Sequence, residues 1–218
     1  MSGLINVEGK FFRFLERMAN CVFLSCLWSL FSLPVITIGA STSALYYAMH
    51  KVVKLESGHL FKTFWKGFRD NFKKGTILWG ILLLVYAFIG VDLYVSYVLS
   101  GADSFLSWVT VLLIVVAVVL TFWSLHWFPY IAHVEDSIKA ILRNTLIMCI
   151  QNFGKAFVLF LLYALCIAIL VFLPIAPVYL LILPSGYMYF AHSLHIKIFS
   201  RYFEIKNSSD HVMHDADT

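Results

Sequence analysis

Of the 218 residues, 61% are hydrophobic and only 13% charged, and the mean hydropathy is +0.85. Soluble domains carry about a quarter charged residues, so the composition excludes a soluble globular protein. The apolar runs are continuous and lack the alternation of about ten residues expected of a β-barrel, which leaves an all-α, polytopic transmembrane bundle. The net charge of +4 comes from basic residues that border the apolar runs, so it gives no reason to expect a nucleic-acid partner.

The first apolar run, Met18 to His50, holds 33 residues without Asp, Glu, Lys or Arg. One crossing needs about 20 apolar residues and a hairpin roughly 40. The run also exceeds the roughly 7–15 apolar residues of a cleavable signal, so it reads as a permanent part of the protein. Pro34, Gly39 and the hydroxyl residues Ser32, Thr37, Ser41, Thr42 and Ser43 sit near its middle. Arg17 and Lys51 flank it, and Lys and Arg collect on the cytoplasmic side. The chain should therefore enter and return, as two short crossings or a re-entrant hairpin folding near Pro34 to Gly39. Freed carbonyls at membrane depth can be satisfied by Ser and Thr. Ala40, Ala44 and Ala48, spaced by four, permit close helix approach. One tilted helix with an outside amino terminus is the competing reading and gives five spans.

Next comes "GHLFKTFWKGFRDNFKKG". On a helical wheel Phe61, Phe64, Trp65, Phe68 and Phe72 fall within about 100°, beside a stripe of Lys62, Lys66, Arg69 and Lys73. This describes either a helix lying in the cytoplasmic membrane interface, with Lys62, Trp65, Lys66, Arg69 and Lys73 as anchor, or one packed on the protein's own inner surface. The following span, to Leu99, is broken only by Asp92. An acid at membrane depth is a functional-site hypothesis, although this one lies near the outer end, beside the aromatic belt of Tyr94 and Tyr97.

Ser104 to Val134 gives 31 residues without an acid, Lys or Arg. His126, between Trp123 and Trp127, falls in the inner belt, and His133, Glu135 and Asp136 follow Pro129 at the inner face. Beyond them, Ile138, Ile141, Leu142 and Cys149 share a helical face. "DNFKKGTIL" and "QNFGKAFVL" echo each other, with Asn71 and Asn152 as N-cap candidates, which suggests a parallel repeat. Ala156 to Ile196 spans 41 uncharged residues. As one helix it would be about 60 Å long, twice the bilayer core, so it must turn, at Pro174 and Pro177.

The basic residues fall in four segments on one side, and the links at Gly101–Asp103 and Leu173–Pro177 carry none. The expectation is about six spans, near 19–35, 38–53, 75–99, 104–131, 156–173 and 176–197, with both termini cytoplasmic and a multi-pass location in the cell membrane. Residues 1–206 form a single membrane domain and 207–218 a polar, disordered tail.

Polar constellations are sparse. Cys21, Cys26, Cys149 and Cys166 are scattered and read as packing residues. His192 and His195 share a face but lack an evident third ligand, so they read as polar groups near the cytosolic end. Metalloprotease, nucleophile-elbow and phosphate-loop motifs are absent. The sequence therefore supplies no catalytic residue, cofactor or metal site. Ser41, Thr42, Ser43, Tyr46 and Asp92 are the candidate polar ligand site.

The blocks "SLPVITIGASTSALYYAMHKVV", "FWKGFRDNFKKGTILWGILLL" and "WFPYIAHVEDSIKAILRNTLIMCIQNF", in that order and spacing, resemble the YesL-like proteins, an uncharacterised family of small bacterial membrane proteins. The resemblance implies an all-helical protein of the cytoplasmic membrane, working beside a sugar importer or a sensor kinase and without established catalytic residues. The function expected from it is that of a non-enzymatic accessory protein of carbohydrate uptake or sensing. A small-solute binding or transport subunit, with its polar site near the broken first hairpin, is the alternative.

Overall fold

A computed structural model describes residues 2–54, 59–99, 104–172 and 182–200. The elements are α1 (Ser2–Phe31), α2 (Ile38–Lys54), α3 (Leu60–Leu99), α4 (Ser104–Ser124), α5 (Trp127–Ile131), α6 (Ile138–Gln151), α7 (Phe153–Phe172) and α8 over residues 182–200. The link at Gly101–Asp103, the break at Pro174 and Pro177, and the tail 207–218 lie outside the described residues.

The opening run is not one rod. Helix α1 stops at Phe31, a single 3₁₀ turn covers Val35–Thr37, and α2 packs back against α1. Thr37 closes the turn: its hydroxyl lies 2.6 Å from the Phe31 carbonyl and 2.7 Å from that of Pro34. A hydroxyl here satisfies carbonyls that Pro34, lacking an N–H, cannot help to cap.

Helix α2 is the centre of the molecule. Ala40, Ala44, Leu45, Tyr46, Ala48 and Met49 are all buried on it. It packs on α1, α3 and α5. The alanine spacing brings α2 within backbone contact of α3. A β-carbon on Gly39 would strike the Gly75 carbonyl, and one on Gly75 would lie 2.9 Å from the Ala40 backbone. The Trp79 indole N–H, one turn further along α3, donates to the Val35 carbonyl at 2.7 Å.

Four stretches are long and apolar enough to cross a membrane: Phe11–Phe31, Leu60–Ser96, Trp108–Ile131 and Phe153–Phe172. The 17-residue α2 is not among them, and neither is α8. Among the described residues the protein is all-helical, with four candidate spans. The other two of the six expected segments fall on α2 and α8, whose described residues bury many apolar side chains against other helices.

Helix α3 departs from expectation. A surface helix followed by a separate span was expected, yet 40 residues form one unbroken helix, about 60 Å long. No proline interrupts the sequence at Lys73-Lys74-Gly75, and Gly75 is tolerated there because its bare backbone receives α2. Only part of the aromatic wheel is buried. Phe64 and Phe68 pack on Phe31, with ring centroids 5.6 and 5.1 Å apart. Phe61, Trp65 and Phe72 remain exposed, as do Lys62, Lys66, Arg69 and Lys73.

The expected N-caps act otherwise. Asn71 lies inside α3 and donates to the Gly67 carbonyl at 3.0 Å. Asn152 joins α6 to α7, and its side chain reaches back to the Met148 carbonyl at 3.3 Å. Ser137 is the side-chain cap of α6. The second half therefore breaks where the first runs straight, and the sequence echo does not extend to equal helices.

Candidate functional site

Two features flank α2 and share it with α8. The first is a cavity of about 470 Å³ between α1, α2, α3, the α4–α5 segment, α7 and α8. Aromatic rings dominate its wall: Trp28, Trp79, Tyr86, Phe128, Tyr163 and Tyr187. Most of its polar atoms are already paired. The Trp28 indole donates to Thr42 Oγ1 at 3.1 Å, and that hydroxyl donates to the Ile38 carbonyl at 2.7 Å. Thr121 spends its hydrogen on the Ala117 carbonyl at 2.8 Å, so Tyr86 is the donor in their 2.7 Å bond. The Tyr187 hydroxyl is buried without a partner among the described residues. The cavity is therefore an apolar, aromatic chamber with few polar groups left to meet a ligand. A pocket of this size and character suits a small molecule.

The second feature is a group of five imidazoles packed with Tyr46. His133, His192 and His195 lie with ring centroids 5.2, 5.6 and 5.4 Å from that of Tyr46. His50 Nδ1 is 2.9 Å from His192 Nε2. His126, fully buried where α4 gives way to α5, stacks edge-on against His195 at 5.6 Å. His133 is open on one side, while its ring packs against the others. Burial holds its pKa below the ordinary histidine value, the Pro129 carbonyl opposes this, and the nearby His50 adds to the lowering. Among the described residues no three His, Cys, Asp or Glu side chains are grouped to hold a metal ion.

The sequence-selected residues separate in space. Thr42 lines the cavity. Tyr46, one turn along α2, is fully buried among the imidazoles. Ser43 donates to the Gly39 carbonyl at 3.0 Å, and Ser41 is fully buried with no partner among the described residues. Asp92 lies far along α3, half-buried, and lines neither feature. Sequence reasoning noticed four of the five histidines but not their convergence. The missed partner is His50, and its one signal was its spacing of four from Tyr46.

Residues 20–93 match a family described as "Protein of unknown function, DUF624". An uncharacterized protein of Bacillus subtilis (strain 168), YteU, is 29% identical over 93 residues. That match spans 41% of this chain and 42% of YteU, so the similarity covers less than half of either protein. No solved structure matches. It is thus by the C-terminal part of α1, the turn at Pro34, all of α2 and most of α3 that this chain resembles DUF624, a family of unknown function.

Proposed function

We propose that the protein is a non-enzymatic integral membrane protein that binds a small amphiphilic molecule in the aromatic cavity. Carbohydrate uptake or its sensing is the proposed setting, and it rests on the sequence resemblance alone. The observation that carries the binding reading is the chamber of about 470 Å³ walled by six aromatic rings. The wall is too apolar for a free sugar to exchange its water hydrogen bonds for equivalent partners. A molecule with an apolar body and a hydroxyl-bearing head fits better, because aromatic faces pack on the body and Tyr187 can meet the head. The proposed location is the cell membrane with both termini cytoplasmic, which follows from the placement of Lys and Arg. A sugar importer or a sensor kinase is the proposed partner.

The test uses the full chain in lipid nanodiscs. Emission from Trp28 and Trp79, both in the wall, is followed during titration with a monosaccharide, an alkyl glycoside and a fatty alcohol. The alkyl glycoside should give a saturable change that weakens at least tenfold in Leu183→Phe, which fills the chamber. A saturable change with none of the three, or one unaltered by Leu183→Phe, overturns the reading.

A further inference from the structure

The cavity carries a second conclusion, which rests on the binding reading above and narrows it. Four of its walls are candidate membrane spans: Trp28, Tyr86, Thr121 and Tyr163 each stand in a different one. None of the described residues that line it is Asp, Glu, Lys, Arg or His. A charged head inside would meet no counter-charge, and burying an unpaired charge is far costlier than burying a hydroxyl. The remaining hydrogen-bonding capacity gathers at α8. The Tyr187 hydroxyl has no partner among the described residues. Neither has that of fully buried Tyr46 behind it, and the two hydroxyls are electrostatic neighbours. Tyr163 packs edge-on against Tyr187, with ring centroids 6.0 Å apart. A phenol hydroxyl both donates and accepts, as an alcohol does.

The wall also has an open side. Leu170 of α7 lines the cavity and is 43% exposed. Ile167 and Val171, beside it on the same helix, are exposed too, as is Ile182 next to the wall residue Leu183. The rim is therefore hydrocarbon on a candidate span, a surface that meets acyl chains in a bilayer. We propose that the ligand is an uncharged membrane lipid, with its hydroxyl head at Tyr187 and its acyl chain leaving past Leu170 onto the exposed face of α7. Such a lipid enters sideways from the bilayer. An amphiphile taken whole from water would instead need a chain short enough for about 470 Å³.

The experiment is native mass spectrometry of the full chain, purified in an amine-oxide detergent. The probes are decanoyl and oleoyl monoacylglycerol, with oleic acid and oleylamine as charged counterparts. Both monoacylglycerols should bind, because the longer chain is not confined. The two charged lipids should bind at least about tenfold more weakly. Tyr187→Phe should weaken both monoacylglycerols by about three- to tenfold, the loss of one hydrogen bond. Leu170→Trp, which narrows the rim, should weaken the oleoyl lipid several-fold more than the decanoyl one. Should that variant fail to fold, the wild-type comparison of charge and chain length decides. Equal binding of charged and uncharged lipids, all lost in Leu183→Phe, would overturn this proposal and leave the binding reading standing. So would binding of the decanoyl lipid alone, which marks a closed chamber, or an unchanged affinity in Tyr187→Phe. Adducts that persist in Leu183→Phe would remove the binding reading and this proposal together.

Discussion

Gly39 of α2 and Gly75 of α3 meet backbone to backbone, and neither has room for a β-carbon. The obstacle on each side is main chain, so no side-chain rotation relieves a substitution. Gly39→Ala must separate the two helices or tilt α2, whose buried face packs on α1, α3 and α5. Overpacking of this kind costs about 1–3 kcal/mol. Gly67→Ala should be milder, because its neighbour is the Tyr47 side chain at 3.0 Å. Melting temperatures in one detergent should rank wild type above Gly67→Ala, and Gly67→Ala above Gly39→Ala. Equal stability of Gly39→Ala and wild type would contradict the contact.

Tyr130, Asp136 and Asn144 form a closed polar knot where the chain leaves α5. The Tyr130 hydroxyl donates to Asp136 Oδ2 at 2.6 Å and accepts from Asn144 Nδ2 at 2.9 Å, and Asn144 also donates to Asp136 at 3.1 Å. Tyr130 and Asn144 are buried. Removing the acceptor takes a bond to a charged group, at about 1.5–3 kcal/mol each, from two buried donors, whereas removing the hydroxyl takes one such bond and one neutral bond of about 1 kcal/mol. Asp136→Ala should therefore destabilise more than Tyr130→Phe, with Asp136→Asn between them. Denaturation curves of the three variants check the order, and a Tyr130→Phe loss exceeding that of Asp136→Ala would break the account.

These two relationships show what a sequence can and cannot convey. Pro34, the hydroxyls and the Ala40-Ala44-Ala48 spacing announced a turn and a tightly packed second helix, because both depend on local chemistry. The register of Gly39 on Gly75 depends on the path of α3, and that path was misjudged. Paired lysines before Gly75 suggest a boundary, but nothing in them terminates a helix once tertiary packing favours continuation. The imidazole cluster was hidden for another reason. His50 and His192 are 142 positions apart, and no periodicity links segments that meet only after folding. Asp92 drew attention as the lone acid in an apolar span, while the cavity wall consists of ordinary aromatic residues that carry no distinctive spacing.

Cys149 gives a chemical check on α6. It is buried against neighbouring helices, and burial pushes its thiol up to about 11. The thiolate is the reactive form, so at neutral pH little of it is available. In a variant retaining only Cys149, maleimide labelling of the folded protein should be negligible and should rise to completion on denaturation. Rapid labelling before denaturation would place α6 elsewhere.

The exposed face of α3 gives the last prediction. Lys62, Lys66, Arg69 and Lys73 stand beside Phe61, Trp65 and Phe72, and all seven side chains are exposed. Phe64, Phe68 and the inner edge of Trp65 hold the helix to Phe31, so Phe61 and Phe72 are not needed for that contact. An aromatic face edged with cations favours an anionic lipid surface, and each cation near such a surface contributes about 1 kcal/mol. Replacing all four with Gln should weaken the preference for anionic over neutral lipid by at most about 4 kcal/mol, and by less as salt screens the charges. Native mass spectrometry of the purified protein with mixed phosphatidylglycerol and phosphatidylcholine reads that preference directly. Phe64→Ala should instead lower stability and leave the lipid preference in place, because Phe64 faces inward. If the Gln variant retained full anionic selectivity, the exposed stripe would have to serve a surface other than lipid.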